Sequence, residues 1–311
     1  MREGGVASIG ECMLELSARP NAGADDWRMG FAGDTFNTLW AMRALTSEDR
    51  ACDYITAFGD DPFSVKQAEF MRAAGIGISE SPMVAGARPG LYAITLAGAE
   101  RSFTYWRSDS AARRLADDPA ALAKSLENRA LVYFSGITLA ILDAAARATL
   151  IGAVRDARDA GAAIAFDPNY RPRLWPGEED AKAAINEALA VSTIALPTFP
   201  DEQALFGDAS QTATADRIAL LGVGEIIVKN GENPALIHAA SGSAEIAAVP
   251  VPDPVDTTGA GDSFNAGYLA ARLAGDSPET AARKAHAVAA SVVRIRGALA
   301  PFETIRTAFA L

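Results

Sequence analysis

The sequence predicts an α/β fold in which a mostly parallel sheet is covered by helices. Short β-branched runs alternate with longer alanine-rich segments of helical period along almost the whole chain. The 311 residues are half hydrophobic, which is enough to fill a sizeable core. No internal repeat, low-complexity block or linker divides them, so residues 1–311 read as a single catalytic-sized domain.

In chain order, the strands expected from β-branched runs cover residues 6–10, 54–58, 131–135, 163–167, 193–196 and 225–229. Helical period marks 35–45, 64–74, 144–160, 178–190 and 260–274, with a helical C-terminal region from Pro278 onward. One stretch breaks the rhythm. Residues 91–96 and 102–107 flank Ala97-Gly-Ala-Glu-Arg101, the pattern of a β-hairpin with a glycine-containing loop. A hairpin inserted in a βα series has no helix partner in the main sheet. It is expected in a small β-sheet lid built discontinuously from about 13–31 and 89–107; the alternative is an edge hairpin without function. Tyr105 and Arg107 at the strand end favour the lid.

Composition closes off several functions. Lys and Arg number 28 against 39 Asp and Glu, a net charge of −11. That balance argues against gripping nucleic acid or an anionic membrane over a broad surface, because both need a positive field. Compact anions held by a few focused basic groups remain open. Cys12 and Cys52 cannot make a disulfide framework or a four-cysteine zinc site and are expected to be small buried side chains. His238 and His286 have no second ligand at metal spacing. No G-x-S-x-G, P-loop or G-x-G-x-x-G after the first strand occurs, which removes the corresponding hydrolase, P-loop and Rossmann dehydrogenase readings. With no charged leader before an apolar segment and no span of about 18 apolar residues, the expectation is a cytoplasmic protein.

The chemistry-bearing run is Asp256-Thr-Thr-Gly-Ala-Gly-Asp-Ser-Phe264, just ahead of a helical segment. Small residues there let Gly259, Ala260 and Gly261 present backbone N–H groups at a helix N-terminus, a site for anions. Asp262 would stand on the first turn. A carboxylate repels a phosphate, so it suits a base that accepts a proton from a hydroxyl attacking phosphorus. A helix cap is the other reading, and this run alone leaves the choice open.

Together with Phe31-Ala-Gly-Asp-Thr-Phe-Asn37, this run resembles the paired signatures of the ribokinase-like (PfkB) family of sugar kinases, with Ala32 in place of the usual first glycine. The resemblance extends over nearly the whole chain. It implies a three-layer α/β/α fold with a β lid, ATP and Mg²⁺ as cofactors, and Asp262 as the base beside an anion hole at Gly259, Ala260 and Gly261. Segments at 10–16, 33–37, 89–92, 103–107, 135–142 and 167–175 further resemble the members that act on a keto-deoxy sugar acid. They imply transfer of phosphate to the terminal hydroxyl of 2-keto-3-deoxygluconate, with fructose, ribose or another keto-sugar acid as alternative acceptors. On the same resemblance Gly33, Asp34, Asn37 and Tyr92 contact the sugar, and Tyr105, Arg107 and Arg171 surround its carboxylate. Asn169 and Arg171 lie near the phosphates, while Lys229, Asn230, Gly231 and Glu232 border the nucleotide.

The arginines also make sense physically, since a guanidinium binds a carboxylate bidentately and a neutral sugar needs neither. A solvated strand end for Arg107 and a cap or salt bridge for Arg171 are their structural alternatives. The family's Asn-x-x-Glu, which organises Mg²⁺ through water, is represented by Thr198-Phe-Pro-Asp-Glu202, leaving Asp201 and Glu202 as the acids. After Lys229 the expected later glycine is replaced by Asn233-Pro234. Apolar residues of the lid, Leu91, Ile94 and Phe103, suggest a homo-oligomer formed through it. A sugar-sensing protein that kept the fold would have lost Asp262 or its glycines, which are intact.

Overall fold

The computed structural model describes residues 3–18, 26–78, 80–97 and 100–310. Its strands are β1 (Gly5–Ile9), β2 (Met13–Ala18), β3 (Trp27–Ala32), β4 (Cys52–Ile55), β5 (Leu91–Ala97), β6 (Glu100–Trp106), β7 (Arg129–Ser135), β8 (Ala163–Asp167), β9 (Ile194–Ala195), β10 (Glu225–Val228), β11 (Ala235–Ala239) and β12 (Gly242–Ile246). Its helices are α1 (Asp34–Leu45), α2 (Pro62–Ala73), α3 (Pro119–Ser125), α4 (Gly136–Ile141), α5 (Ala144–Asp159), α6 (Glu178–Val191), α7 (Phe199–Phe206), α8 (Gln211–Ala219), α9 (Ala260–Leu273), α10 (Pro278–Val292) and α11 (Phe302–Phe309). Several helix starts are written in the chain. Asp61, Asp143 and Ser277 accept hydrogen bonds from first-turn N–H groups of α2, α5 and α10, and proline opens α2 and α10.

Eight strands form the central sheet in the order β12-β11-β10-β9-β8-β7-β1-β4. From β4 to β10 neighbours pair in parallel, and β11 and β12 add an antiparallel edge. This is the expected mostly parallel sheet. The antiparallel edge and α3, α4, α7 and α8 lie outside the elements the sequence predicts. Both faces are covered. One apolar core packs α4, α5 and α6 against strands such as β7 and β8 through Leu139, Val154, Phe166 and Ile185. The other packs α1, α9 and α10 on the opposite face through Phe36, Leu39, Tyr268 and Val288. Cys12 and Cys52 are free and buried, as expected.

A second, four-stranded sheet runs β3-β2-β5-β6. The hairpin pairs Leu91 with Trp106 and Ala97 with Glu100, so its turn is shorter than predicted; residues 98 and 99 of that turn lie outside the described residues, as do 19–25 of the segment 13–31. Register puts Glu15, Arg28, Gly30, Tyr92, Ile94, Phe103 and Tyr105 on one face and Leu14, Trp27, Met29, Leu91 and Trp106 on the other. The first face looks across a cleft of about 530 Å³ to Trp40 and the segment 296–301. No helix among the described residues is long and apolar enough to cross a membrane.

On the face of the central sheet covered by α1, α9 and α10, a tight helix contact is made at Gly267 of α9, where a Cβ would stand 2.9 Å from the Ala285 Cα on α10. Alanine ordinarily stabilises a helix interior over glycine by about 1 kcal/mol. Here it has to push two helices apart, at about 1–3 kcal/mol. Gly267→Ala is therefore expected to lower unfolding stability by roughly 1 kcal/mol or more, measured by denaturant titration. An increase would show that the α9–α10 contact has slack.

Candidate active site

The carboxyl ends of β1, β8 and β10 meet the N-termini of α1 and α9 at one place, where open α/β sheets bind ligands. Gly259 is the N-cap of α9, with φ 76°, the left-handed conformation that glycine takes without strain. The helix then begins at Ala260, so Asp262 is a first-turn residue and not the cap. The N–H of Ala260 is taken by the Thr257 carbonyl at 3.2 Å. Gly261 and Asp262 keep their N–H groups without protein partners among the described residues, as the geometry of a helix start requires. Of the N–H groups expected to face an anion, that of Ala260 is therefore spent on Thr257, while Gly261 and the neighbouring Asp262 offer theirs at the helix start.

Around this helix start the side chains form a connected polar network. The Asn37 amide donates to the Asp262 carboxylate at 2.8 Å, and the Thr38 hydroxyl donates to the Asp262 carbonyl at 3.2 Å. Asn169, at the end of β8 with φ 36°, donates to Asp34 at 2.9 Å. Asp167 receives the Lys229 ammonium at 2.6 Å, the Asn265 amide at 2.7 Å and the Asn169 backbone N–H at 3.1 Å. Asp167 and Lys229 are only 3% and 7% exposed. The Lys229 ammonium lies 3.8 Å from where a Cβ on Gly261 would stand, directly beside the free N–H groups.

Burial of Asp262, the nearby Asp34 carboxylate and, more weakly, Asp167 push its pKa up to about 7; Asn37 and Lys229 oppose the rise. A carboxyl poised there, half-buried and next to two free N–H donors and an ammonium, can take a proton from a bound hydroxyl near neutral pH.

Other predicted residues take places the sequence does not show. Gly33 caps α1, and its N–H donates to the Asn37 side chain at 3.3 Å. Tyr92 is buried and donates to Glu15, while Tyr105 beside it is half exposed. Arg107 is no solvated strand end: it is buried against Glu11. Arg171, half exposed, shares Asp201 at 3.2 Å. Glu202 is buried in an ion cluster with Arg217 and Asp208 instead of facing the site, so it is withdrawn as a metal-organising acid. Among the described residues no group of three His, Cys, Asp or Glu side chains could hold a metal. Lys229, expected to border the nucleotide, is buried on Asp167 with its ammonium beside Gly261. Gly231 and Glu232 are exposed in the β10–β11 turn, and Asn230 donates to Gln211 at 3.2 Å. Asp167 and Asn265 belong to the network, and Glu11 holds Arg107, without having been singled out; Asp167 opens the Asp-Pro-Asn-Tyr-Arg run and was the one within reach of sequence reading.

The pfkB carbohydrate kinase family profile matches residues 4–305. A 2-dehydro-3-deoxygluconokinase from Dickeya dadantii is 40% identical over 308 residues, covering 96% of this chain and 98% of the relative. One from Escherichia coli K12 is 39% identical over 307 residues with the same coverage. In structure, a protein from E. coli provisionally described as ribokinase II, in complex with ATP and Mg²⁺, superposes with a TM-score of 0.84 at 23% identity. It covers 99% of each chain.

The raised pKa of Asp262 has a price in stability. Its folded-state value near 7 lies above the ordinary value of about 3.9. Between those pH values the native state holds a proton that the unfolded chain releases, so stability falls as pH rises through this window. Asp262→Asn removes that ionisation. The variant is expected to melt above the wild type at pH 8, by about 2 °C or more, with a smaller gap at pH 5, in calorimetric scans. A gap that does not depend on pH would contradict the assignment.

Proposed function

This chain belongs to the pfkB family of carbohydrate kinases, and we propose that it phosphorylates the terminal hydroxyl of 2-keto-3-deoxygluconate, with ATP as donor. The observation that carries the mechanism is the proton-accepting Asp262 set beside the free N–H groups of Gly261 and Asp262. Asp262 takes the proton of the acceptor hydroxyl as that oxygen bonds to the γ-phosphorus and the bond to ADP breaks. The two N–H groups and the Lys229 ammonium stabilise the charge on the transferred group. Asn37 holds the Asp262 carboxylate in place at 2.8 Å. Among the described residues no three-ligand cage for Mg²⁺ occurs; Mg²⁺ bound with ATP would supply neutralisation of phosphate charge, with Asp201 as the acid to reach it through water. This chemistry belongs to the cytoplasm, where ATP is available.

Arg107 and Arg171 supply guanidinium groups for the acceptor's carboxylate, and Gly33, Asp34 and Tyr92 for its hydroxyls. The four-stranded sheet acts as a lid over the cleft, excluding water during transfer. Its other face carries half-exposed Trp27 and Met29, and Trp106 at 57% exposure. We propose that a second copy of the chain covers that face; of the apolar lid residues that the sequence suggests for it, only the partly buried Leu91 lies there, and Ile94 and Phe103 lie on the face toward the cleft.

A coupled ADP-release assay across sugars tests the activity. Turnover of 2-keto-3-deoxygluconate is expected to exceed that of fructose and ribose, with kcat/KM falling as pH drops below about 7. Asp262→Asn should lower kcat by roughly 10²–10⁴-fold while both ligands still bind. Preference for a neutral sugar would transfer the chain to another acceptor class. For the assembly, sedimentation is expected to show a dimer or larger at micromolar concentration, and Trp106→Glu a shift to monomer. A monomeric wild type would remove the proposed interface.

A further inference from the structure

The lid joins the body of the molecule through four chain crossings, and all four meet at one residue, Glu11. Glu11 lies on the first crossing, between β1 and β2. Its backbone oxygen would be 2.1 Å from a Cβ on Gly33, which stands on the second, between β3 and α1. Its Oε1 would be 2.5 Å from a Cβ on Gly90, at the third, where the chain enters β5. Its Oε2 accepts from the Arg107 guanidinium at the fourth, where the chain leaves β6. A side chain larger than hydrogen at either glycine would displace Glu11.

The Glu11 side chain is 1% exposed and that of Arg107 is 10% exposed. Burying both charges at this hinge costs desolvation that their mutual attraction offsets only when the remaining donors and acceptors are also satisfied. Moreover, the pair is incomplete. A guanidinium has five N–H donors; Glu11 engages Nη2, and Nε is buried without a partner. Arg107 is thus fixed by one arm with donors to spare, under the half-exposed ring of Tyr105, whose centroid is 6.0 Å from the guanidinium carbon. A second carboxylate brought to those donors would complete the hydrogen bonding that the protein leaves open.

We infer that Glu11 is a positioning residue for acceptor binding: it holds Arg107 at the lid hinge, aimed so that its remaining donors meet the acceptor's carboxylate. It touches no reacting atom. The inference rests on the proposed function, because it requires an acidic acceptor.

The test is a double-mutant cycle on Glu11 and Arg107, read by calorimetric binding of 2-keto-3-deoxygluconate and, separately, of ATP. Glu11→Ala and Arg107→Ala are each expected to weaken the sugar acid about tenfold or more and to leave ATP affinity unchanged. The double variant should lose no more than the worse single one. Glu11→Gln, which keeps the size and one acceptor, should retain an intermediate affinity, and it stands in for Glu11→Ala if that protein does not fold. Additive losses, equal losses for ATP, or no loss at all would overturn the inference. A wild type that does not bind the sugar acid would overturn the proposed function, and this reading with it; a wild type that binds while the cycle is additive overturns this reading alone.

Discussion

The buried pairing of Asp167 with Lys229 is the constraint on which the rest of the site depends. One carboxylate at the end of β8 receives Lys229 from the end of β10, Asn265 from α9 and the backbone of Asn169 from its own loop. These are three elements distant in sequence, and nothing else described in the network touches all three. Taking two charges out of water offsets most of the attraction between them, so the pair contributes little to net stability. What it determines is position. It sets the Lys229 ammonium beside Gly261 and keeps the first turn of α9 in register with the sheet edge.

That local arrangement answers a difficulty raised by the overall charge. A chain of net charge −11 has to bind a sugar acid and a nucleotide, both anionic. The field of the whole molecule opposes this. The opposing means are short-ranged: two free N–H groups at a helix start, one buried ammonium beneath them, and guanidinium groups at the hinge and at the end of β8. The buried Lys229 and the largely buried Arg107 are poorly screened, whereas the surface carboxylates that produce most of the net charge are screened within about 10 Å by salt. Acidity therefore limits the molecule to compact anions without excluding them.

How much of this was legible in the sequence follows from the range of each interaction. The α9 start could be read because its signals, glycine, small residues and a helical run, are contiguous between Asp256 and Ala274. The hairpin was equally local, since Leu91–Ala97 and Glu100–Trp106 pair across a short turn. Partner choice was not local. Arg107 looks like a strand-end charge until Glu11, 96 residues away, is folded against it. Lys229 looks like a rim residue until Asp167, 62 residues earlier, draws it inward. Glu202 shows the converse error: its position in Phe-Pro-Asp-Glu suggested a metal role, but Arg217, one helix later, claims it. Of the edge strands that were missed, β12 is polar at Ser243 and Glu245, whereas β11, Ala235–Ala239, is as apolar as the parallel strands and is interrupted only by His238.

The position of Asp262 sets two physical demands against each other. The N-terminus of a helix favours negative charge, which suits the phosphoryl group but by itself would hold a carboxyl low and make it a poor base. In this chain the carboxyl is nonetheless raised to about 7, and burial is the largest cause, with Asp34 next. The Asp262 side chain is engaged by Asn37 of α1, and the N–H groups of Gly261 and Asp262 have no protein partner among the described residues. On the proposed mechanism one residue would serve both ends of the same transfer, its N–H meeting the charge that develops on phosphorus and its carboxylate the proton that leaves the hydroxyl. Asp34 stands on the turn of α1 that also carries Asn37, so the same helix raises the proton affinity of Asp262 and orients it.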